Sequence, residues 1–250
     1  MQLNALKGLL PGLAFVAVAV VIAKPADAAS IVYYNDFVLG TDAMAGALAG
    51  SGHTVTTATS TSQFETLVQG GAFELGIFFV QNNNASSYTS AINALGNFVA
   101  GGGRSMYADW SQNASLASLF DAGFTGGLNQ NQVTFTDPLY GSGTINLTNP
   151  GWGTYSTGLT PVSAAAANFG NGDGAIVVGK GGRSITYGFL NDTFANPSQG
   201  SAMYKSHIDL ILGGSPTQVP TPALLPGLIG LGVAALRKRK AEAAEQANEV

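Results

Sequence analysis

The sequence predicts an α/β domain: a mostly parallel sheet with helices on both faces, plus a β-rich insertion. Three observations point to it. Apolar strand-like runs alternate with helix-period segments across residues 31–108, the order expected of a parallel sheet with crossover helices. The run LGIFFV at 75–80 is continuously apolar, as in a strand covered on both faces. Residues 129–160 then change character, rich in Asn, Thr and Gly with short alternating stretches such as Val133-Thr134-Phe135.

Taken in order, 31–37 (IVYYNDF) is a compact apolar strand, and 42–50 is Ala-rich and helical, ending at Gly50-Ser51-Gly52. Residues 53–58 (HTVTTA) are β-branched and read as a strand. Ser62-Gln63-Phe64-Glu65 has the form of a capping box opening a short helix. After the 75–80 strand, Tyr88, Ile92, Leu95 and Val99 recur at helical spacing, and Gly101-Gly102-Gly103 stops that helix before a strand at 104–108. Later, 175–179 and 184–189 read as a hairpin joined by Lys180-Gly181-Gly182-Arg183, and 202–212 as a final helix.

Composition narrows the function. Only 10 % of the 250 residues are charged, against about a quarter in a typical domain. Between residues 30 and 213, four basic residues face ten acidic ones, a net charge of −6. The Lys/Arg excess sits at the ends, so no nucleic-acid surface is expected. The sequence has no cysteine, which excludes disulfides, thiolate metal sites and a Cys nucleophile.

The two ends read as targeting segments. Residues 1–28 carry Lys7, an apolar stretch at 8–23 and a small-x-small site at Ala26-Asp27-Ala28, the pattern of a signal peptide cleaved near Ala29. A Pro-rich linker at 214–222 follows the body at 29–213. The uncharged segment 223–236 would span about 21 Å as a helix, short of a hydrocarbon core of about 30 Å. Arg237, Lys238, Arg239 and Lys240 open a basic and then acidic tail at 237–250, held on the cytoplasmic side.

The order Val219-Pro220-Thr221-Pro222-Ala223, Gly-rich apolar stretch, Arg-Lys-Arg-Lys resembles PEP-CTERM sorting signals, in the PTPA variant of cyanobacteria. The resemblance covers about 22 residues, with Pro-Thr-Pro in place of Pro-Glu-Pro and a longer acidic extension. It implies an exosortase-type membrane protease as partner, a transient anchor in the inner membrane, and delivery to the cell surface or the exopolysaccharide layer.

The body resembles the class I glutamine amidotransferase-like fold, a flavodoxin-like sheet, in the passages NFVAGGGRSMYADW and GAIVVGKGGRSITYGFLND. In those enzymes a nucleophilic Cys follows the fourth strand and a His-Pro-Glu follows the last. The matching places here are Asp109-Trp110-Ser111 and Leu190-Asn191-Asp192, with neither Cys nor His. The family's triad chemistry is therefore not carried over.

Candidate chemistry is correspondingly sparse. Asp36, Asp109 and Asp192 fall near strand ends, where open α/β sheets place ligands; together they could hold a divalent cation or sugar hydroxyls, or simply cap turns. Trp110 and Trp152 could stack on a sugar ring or serve packing. Ser111 needs a base to act as a nucleophile, and the only histidines, His53 and His207, fall elsewhere. Gly174 to Gly181 nearly spells a phosphate loop, but its middle is Ile-Val-Val and its last position is Gly, which fits a hairpin. The expectation is an exported, non-catalytic surface or matrix protein, without metal or cofactor, that binds polysaccharide or another surface component through Asp36, Asp109, Trp110, Ser111, Asn191 and Asp192. The alternative is a surface hydrolase using the same acidic region.

Overall fold

A computed structural model describes residues 28–162 and 164–213. The expectations for Ala26, the 214–222 linker, the 223–236 segment and the 237–250 tail lie outside the described residues, including the sorting motif; of the 1–28 signal only Ala28 is described.

The first half follows the predicted alternation: β1 (Ser30–Asn35), α1 (Ala43–Ala49), β2 (Thr54–Thr57), α2 (Thr61–Gln69), β3 (Leu75–Val80), α3 (Thr89–Ala100), β4 (Arg104–Asp109) and α4 (Ala114–Ala117). The strands β2, β1, β3 and β4 are parallel neighbours in that order. β3 lies between two of them and every one of its residues is buried, which is why its sequence shows no alternation.

The second half adds β5 (Ala122–Leu128), β6 (Gln132–Phe135), β7 (Thr144–Asn146), β8 (Thr157–Pro161), β9 (Ala165–Phe169), β10 (Gly174–Gly179), β11 (Ser184–Tyr187) and α5 (Pro197–Ile211). β10 and β11 form the predicted hairpin, and β11 enters the sheet parallel to β4. Beyond β11 the sheet turns antiparallel, in the order β10-β9-β6-β7, with β8 joining β10 and β5. The region read as an insertion is thus continuous with the sheet, and only its β11-to-β2 half is parallel.

Helices cover both faces. On one, α1 and α5 pack over Ile31, Tyr33, Ile77, Phe79, Met106 and Tyr187. On the other, α2 and α3 pack over Val32, Phe78, Val80 and Tyr107. Alternate residues of β1, β3 and β4 divide between the two cores, as period-two geometry requires. Gly76 is the exception that closes the second face: a Cβ there would lie 2.5 Å from Leu95 Cδ1. Among the described residues no helix is long and apolar enough to cross a membrane.

Several boundaries differ from the sequence reading. β1 stops at Asn35, because Asp36 turns the chain by accepting backbone N–H groups of the 81–83 loop; Phe37 leaves the strand and is exposed. The cap of α2 is Ser60, extended at φ −150°, accepting from Gln63 N; the box lies two residues earlier than Ser62. α5 begins at Pro197, capped by Asn196, because proline suits a first turn that lacks donors to lose.

Candidate functional site

Three carboxylates end strands or follow them, as predicted, but each is already occupied. Asp36 accepts from the backbone N–H of Gln81, Asn82 and Asn83 at 2.7–3.2 Å. Asp109 Oδ1 accepts from both the backbone N–H and the hydroxyl of Ser111, at 2.7 and 2.6 Å, and Oδ2 accepts from Asn113 N. Asp192 Oδ2 accepts from Leu39 N and Gly40 N at 2.7 and 3.0 Å, and Oδ1 from Trp152 Nε1 at 2.9 Å. Among the described residues no three His, Asp or Glu side chains form a group able to hold a metal ion. Of the roles open to the three acids, the one the hydrogen bonds display is turn and loop pinning: each acid holds a loop.

Burial pushes the Asp109 carboxyl up, and the hydrogen bonds from Ser111 and Asn113 pull it back. Ser111 spends its proton on Asp109 and accepts from Ala85 N at 3.0 Å, so it ties the loop after β4 to the loop after β3. Trp110 donates its indole N–H to Asn83 O at 2.9 Å and clamps the same two loops. The crevice between β4 and β11 is lined by Asp109, Trp110, Tyr155, Tyr187 and Phe189, and it has no room for a water molecule.

Asn191 sits at the centre of a buried polar network. Its Oδ1 accepts from Met44 N at 2.7 Å, its Nδ2 donates to Asp42 Oδ1, and its backbone N–H donates to Gln81 Oε1. Gln81 passes the chain on, donating to Asn35 Oδ1 and to Phe37 O at 2.8 and 2.6 Å. Tyr33 donates to Asp42 Oδ2 at 2.9 Å. Burial, then the Asp42 carboxylate, hold the Tyr33 phenol well above its ordinary range, so it remains a donor. The network joins the loops after β1, β3 and β11 and the start of α1.

Held by these ties, the loop after β1 turns its apolar residues outward. Phe37 and Leu39 are each 48 % exposed, and Phe37 meets Trp152 edge-on at 6.1 Å between centroids. The exposed amide of Asn82 lies on the adjoining loop, tied to this one through Asp36. Sequence reasoning missed Phe37 because it reads as the end of the apolar strand, and Leu39 because it is a single apolar residue in a loop. The signal that could have found them is Asn35-Asp36, a turn pair set inside the apolar run.

The histidines are placed away from this edge. His207 is fully buried: Nε2 donates to Tyr140 O at 2.7 Å, which leaves Nδ1 to accept from Tyr187 OH at 2.9 Å. His53 lies beside the last turns of α5, its Nε2 3.8 Å from Asp209. An open depression of about 740 Å³ lies at the opposite, amino edge of the sheet, beside the 180–183 turn.

No protein-family model matches the sequence, and no curated protein is similar to it. Solved structures are. A protein assigned as one subunit of GMP synthase, from Thermoplasma acidophilum, aligns with a TM-score of 0.51 and 11 % identity, over 73 % of this chain and 94 % of that one. A glutamine amidotransferase from Thermotoga maritima aligns at 0.49 and 7 %, over 74 % and 98 %. The fold is of the glutamine amidotransferase type, a flavodoxin-like α/β sheet with helices on both faces. In this chain Asp109-Trp110-Ser111 follows the fourth strand and Leu190-Asn191-Asp192 follows β11, the places where that fold's nucleophile and base were expected.

Proposed function

We propose that this is an exported, non-catalytic surface protein that binds polysaccharide at the carboxyl edge of its sheet. The observation that carries this reading is the exposed pair Phe37 and Leu39, with half-buried Trp152 meeting Phe37 edge-on, at the same sheet edge as a crevice closed by aromatic side chains. Open α/β sheets place ligands at this edge. An aromatic face suits the C–H face of a sugar, and exposed Asn82 on the adjoining loop suits hydroxyls. The nearby carboxylates of Asp36 and Asp192 are consumed by loop hydrogen bonds, which favours an uncharged glycan. For the non-catalytic reading, Ser111 has no histidine within reach, and Asp109 accepts its proton.

The rest of the proposal concerns delivery. The 1–28 segment would export the body, and an exosortase-type protease would cut at the Val219–Ala223 motif once the 223–236 segment and the Arg237–Lys240 cluster had halted in the inner membrane. Both described ends suit this: Ala29 and the last turn of α5 meet at His53, on the amino edge, so the aromatic patch faces away from either tether.

Screened against immobilised neutral glycans, the processed protein is expected to bind, and Phe37→Ser to weaken binding roughly tenfold with an unchanged melting temperature. Equal binding by Phe37→Ser places the ligand elsewhere. Hydrolytic turnover that disappears in Asp109→Ala overturns the non-catalytic reading in favour of a surface hydrolase.

A further inference from the structure

The amino edge of the sheet carries a second arrangement that the glycan-binding reading does not use. Among the described residues Ala29 is the first tied into the fold: its carbonyl accepts from Thr54 N at 2.9 Å, alongside the β1–β2 ladder, and it is 4 % exposed. Ala28, one residue earlier, is exposed. The backbone nitrogen of Ala29 donates to His53 Nδ1 at 3.2 Å. That bond fixes the imidazole tautomer, leaving the proton of the neutral ring on Nε2. His53 Nε2 is buried with no hydrogen-bond partner among the described residues, and points at Asp209 Oδ1, 3.8 Å away. Lys205 holds the other oxygen of Asp209 at 2.8 Å, and Ser51 Oγ accepts from His53 N, so ring and carboxylate are both fixed.

A carboxylate, an imidazole and a main-chain nitrogen in line form a better site for an ammonium than for an amide. An amide N–H needs only an acceptor. A cation also gains from the carboxylate behind the ring, and its hydrogen bond to the imidazole becomes charge-assisted. Such a cation arises if the chain is cut between Ala28 and Ala29.

We propose that hydrolysis of the Ala28–Ala29 bond creates an α-ammonium on Ala29 that the His53–Asp209 pair captures, so that removal of the leader stabilises the domain. The inference rests on the export reading for the site of cleavage. The step consumes one water: the leader leaves with the Ala28 carboxylate, and the domain keeps the Ala29 amine, which takes up a proton at neutral pH because α-amino groups titrate near 8. The ammonium then keeps one hydrogen on His53 Nδ1 and turns the others to solvent, in the space Ala28 vacates. Processing and folding are thereby coupled at one residue: the bond to be cut is the last exposed one before the sheet begins.

Two chains ending at Val250 test this, one beginning at Ala29 with a free amine after removal of the initiator Met, the other retaining Ala28. The Ala29 form is expected to melt about 2–4 °C higher at pH 7. In Asp209→Asn that gap is expected to shrink, and in His53→Leu to vanish. Equal melting of the two wild-type forms overturns the capture. Where a variant fails to fold, acetylation of the wild-type α-amine reads the same site: slower labelling than in an unfolded peptide of the same sequence supports capture, and equal labelling overturns it. Because these chains have defined ends, they test capture whether or not the export reading holds. Sequencing the N-terminus of the cell-released protein tests that reading separately, and a start other than Ala29 overturns the cleavage half.

Discussion

Lowering the pH from 7 to 4 is expected to remove about 3 kcal/mol of stability through one residue, His207. Burial pushes this imidazole down to about 4, against a hydrogen bond to Tyr140 O that pulls the other way. The sign follows from proton counting. The unfolded chain protonates His207 near 6.5, the folded one near 4, so between those values the unfolded state binds the extra proton. Stability is complete above about pH 6.5 and falls steadily toward pH 4. Asp109 works in the opposite sense, since its raised carboxyl takes up a proton in the folded state first. His207→Gln keeps a donor for Tyr140 O and has nothing to titrate. Its denaturant midpoint is expected to be lower at pH 7 and nearly level from 7 to 5, where wild type slopes. An equal slope in both proteins means that other groups set the acid limb.

Asn191→Ala is expected to cost roughly 3 kcal/mol and to loosen the carboxyl edge as a whole. The substitution removes the acceptor of Met44 N and the donor to Asp42 Oδ1 at a fully buried position. Leaving buried polar groups unpaired costs more than the net value of the bonds themselves, and a network fails together. Hydrogen exchange is expected to rise at Met44 N first, then in the loop after β1 that carries Phe37. A loss below 1 kcal/mol with unchanged exchange contradicts the placement of Asn191 as the hub of those loops.

Asn191 also shows where the sequence was informative and where it was not. Its neighbours 190–192 were legible as the end of a late strand, because Ser184–Tyr187 follows a glycine turn and carries strand residues. Its partners were not, since Met44, Asp42 and Gln81 lie over a hundred positions away, and no local pattern encodes such pairings. The parallel half of the sheet was legible because burial on both faces writes continuous apolar runs, LGIFFV above all. The antiparallel half was not. β5 (AGFTGGL) and β9 (AAANF) are built largely from glycine and alanine, whose strand preference is weak, and they are strands because neighbours pair with them. The acids were correctly placed at strand ends, but their role was decided by loop N–H groups that a sequence does not display. The sites at Phe37 and His53 depend on which residues a turn leaves outside and on where two distant chain segments meet.

The most direct measurement is co-sedimentation of the processed protein with polysaccharide from the surface of the cells that make it, scored together for retention and for polysaccharide chain length. Wild type is expected to sediment, Phe37→Ser with Trp152→Ala to stay in solution, and the polysaccharide to keep its length. Shortening of the polysaccharide that is lost in Asp109→Ala, or retention untouched by the double substitution, would contradict a binding domain that works through its aromatic edge.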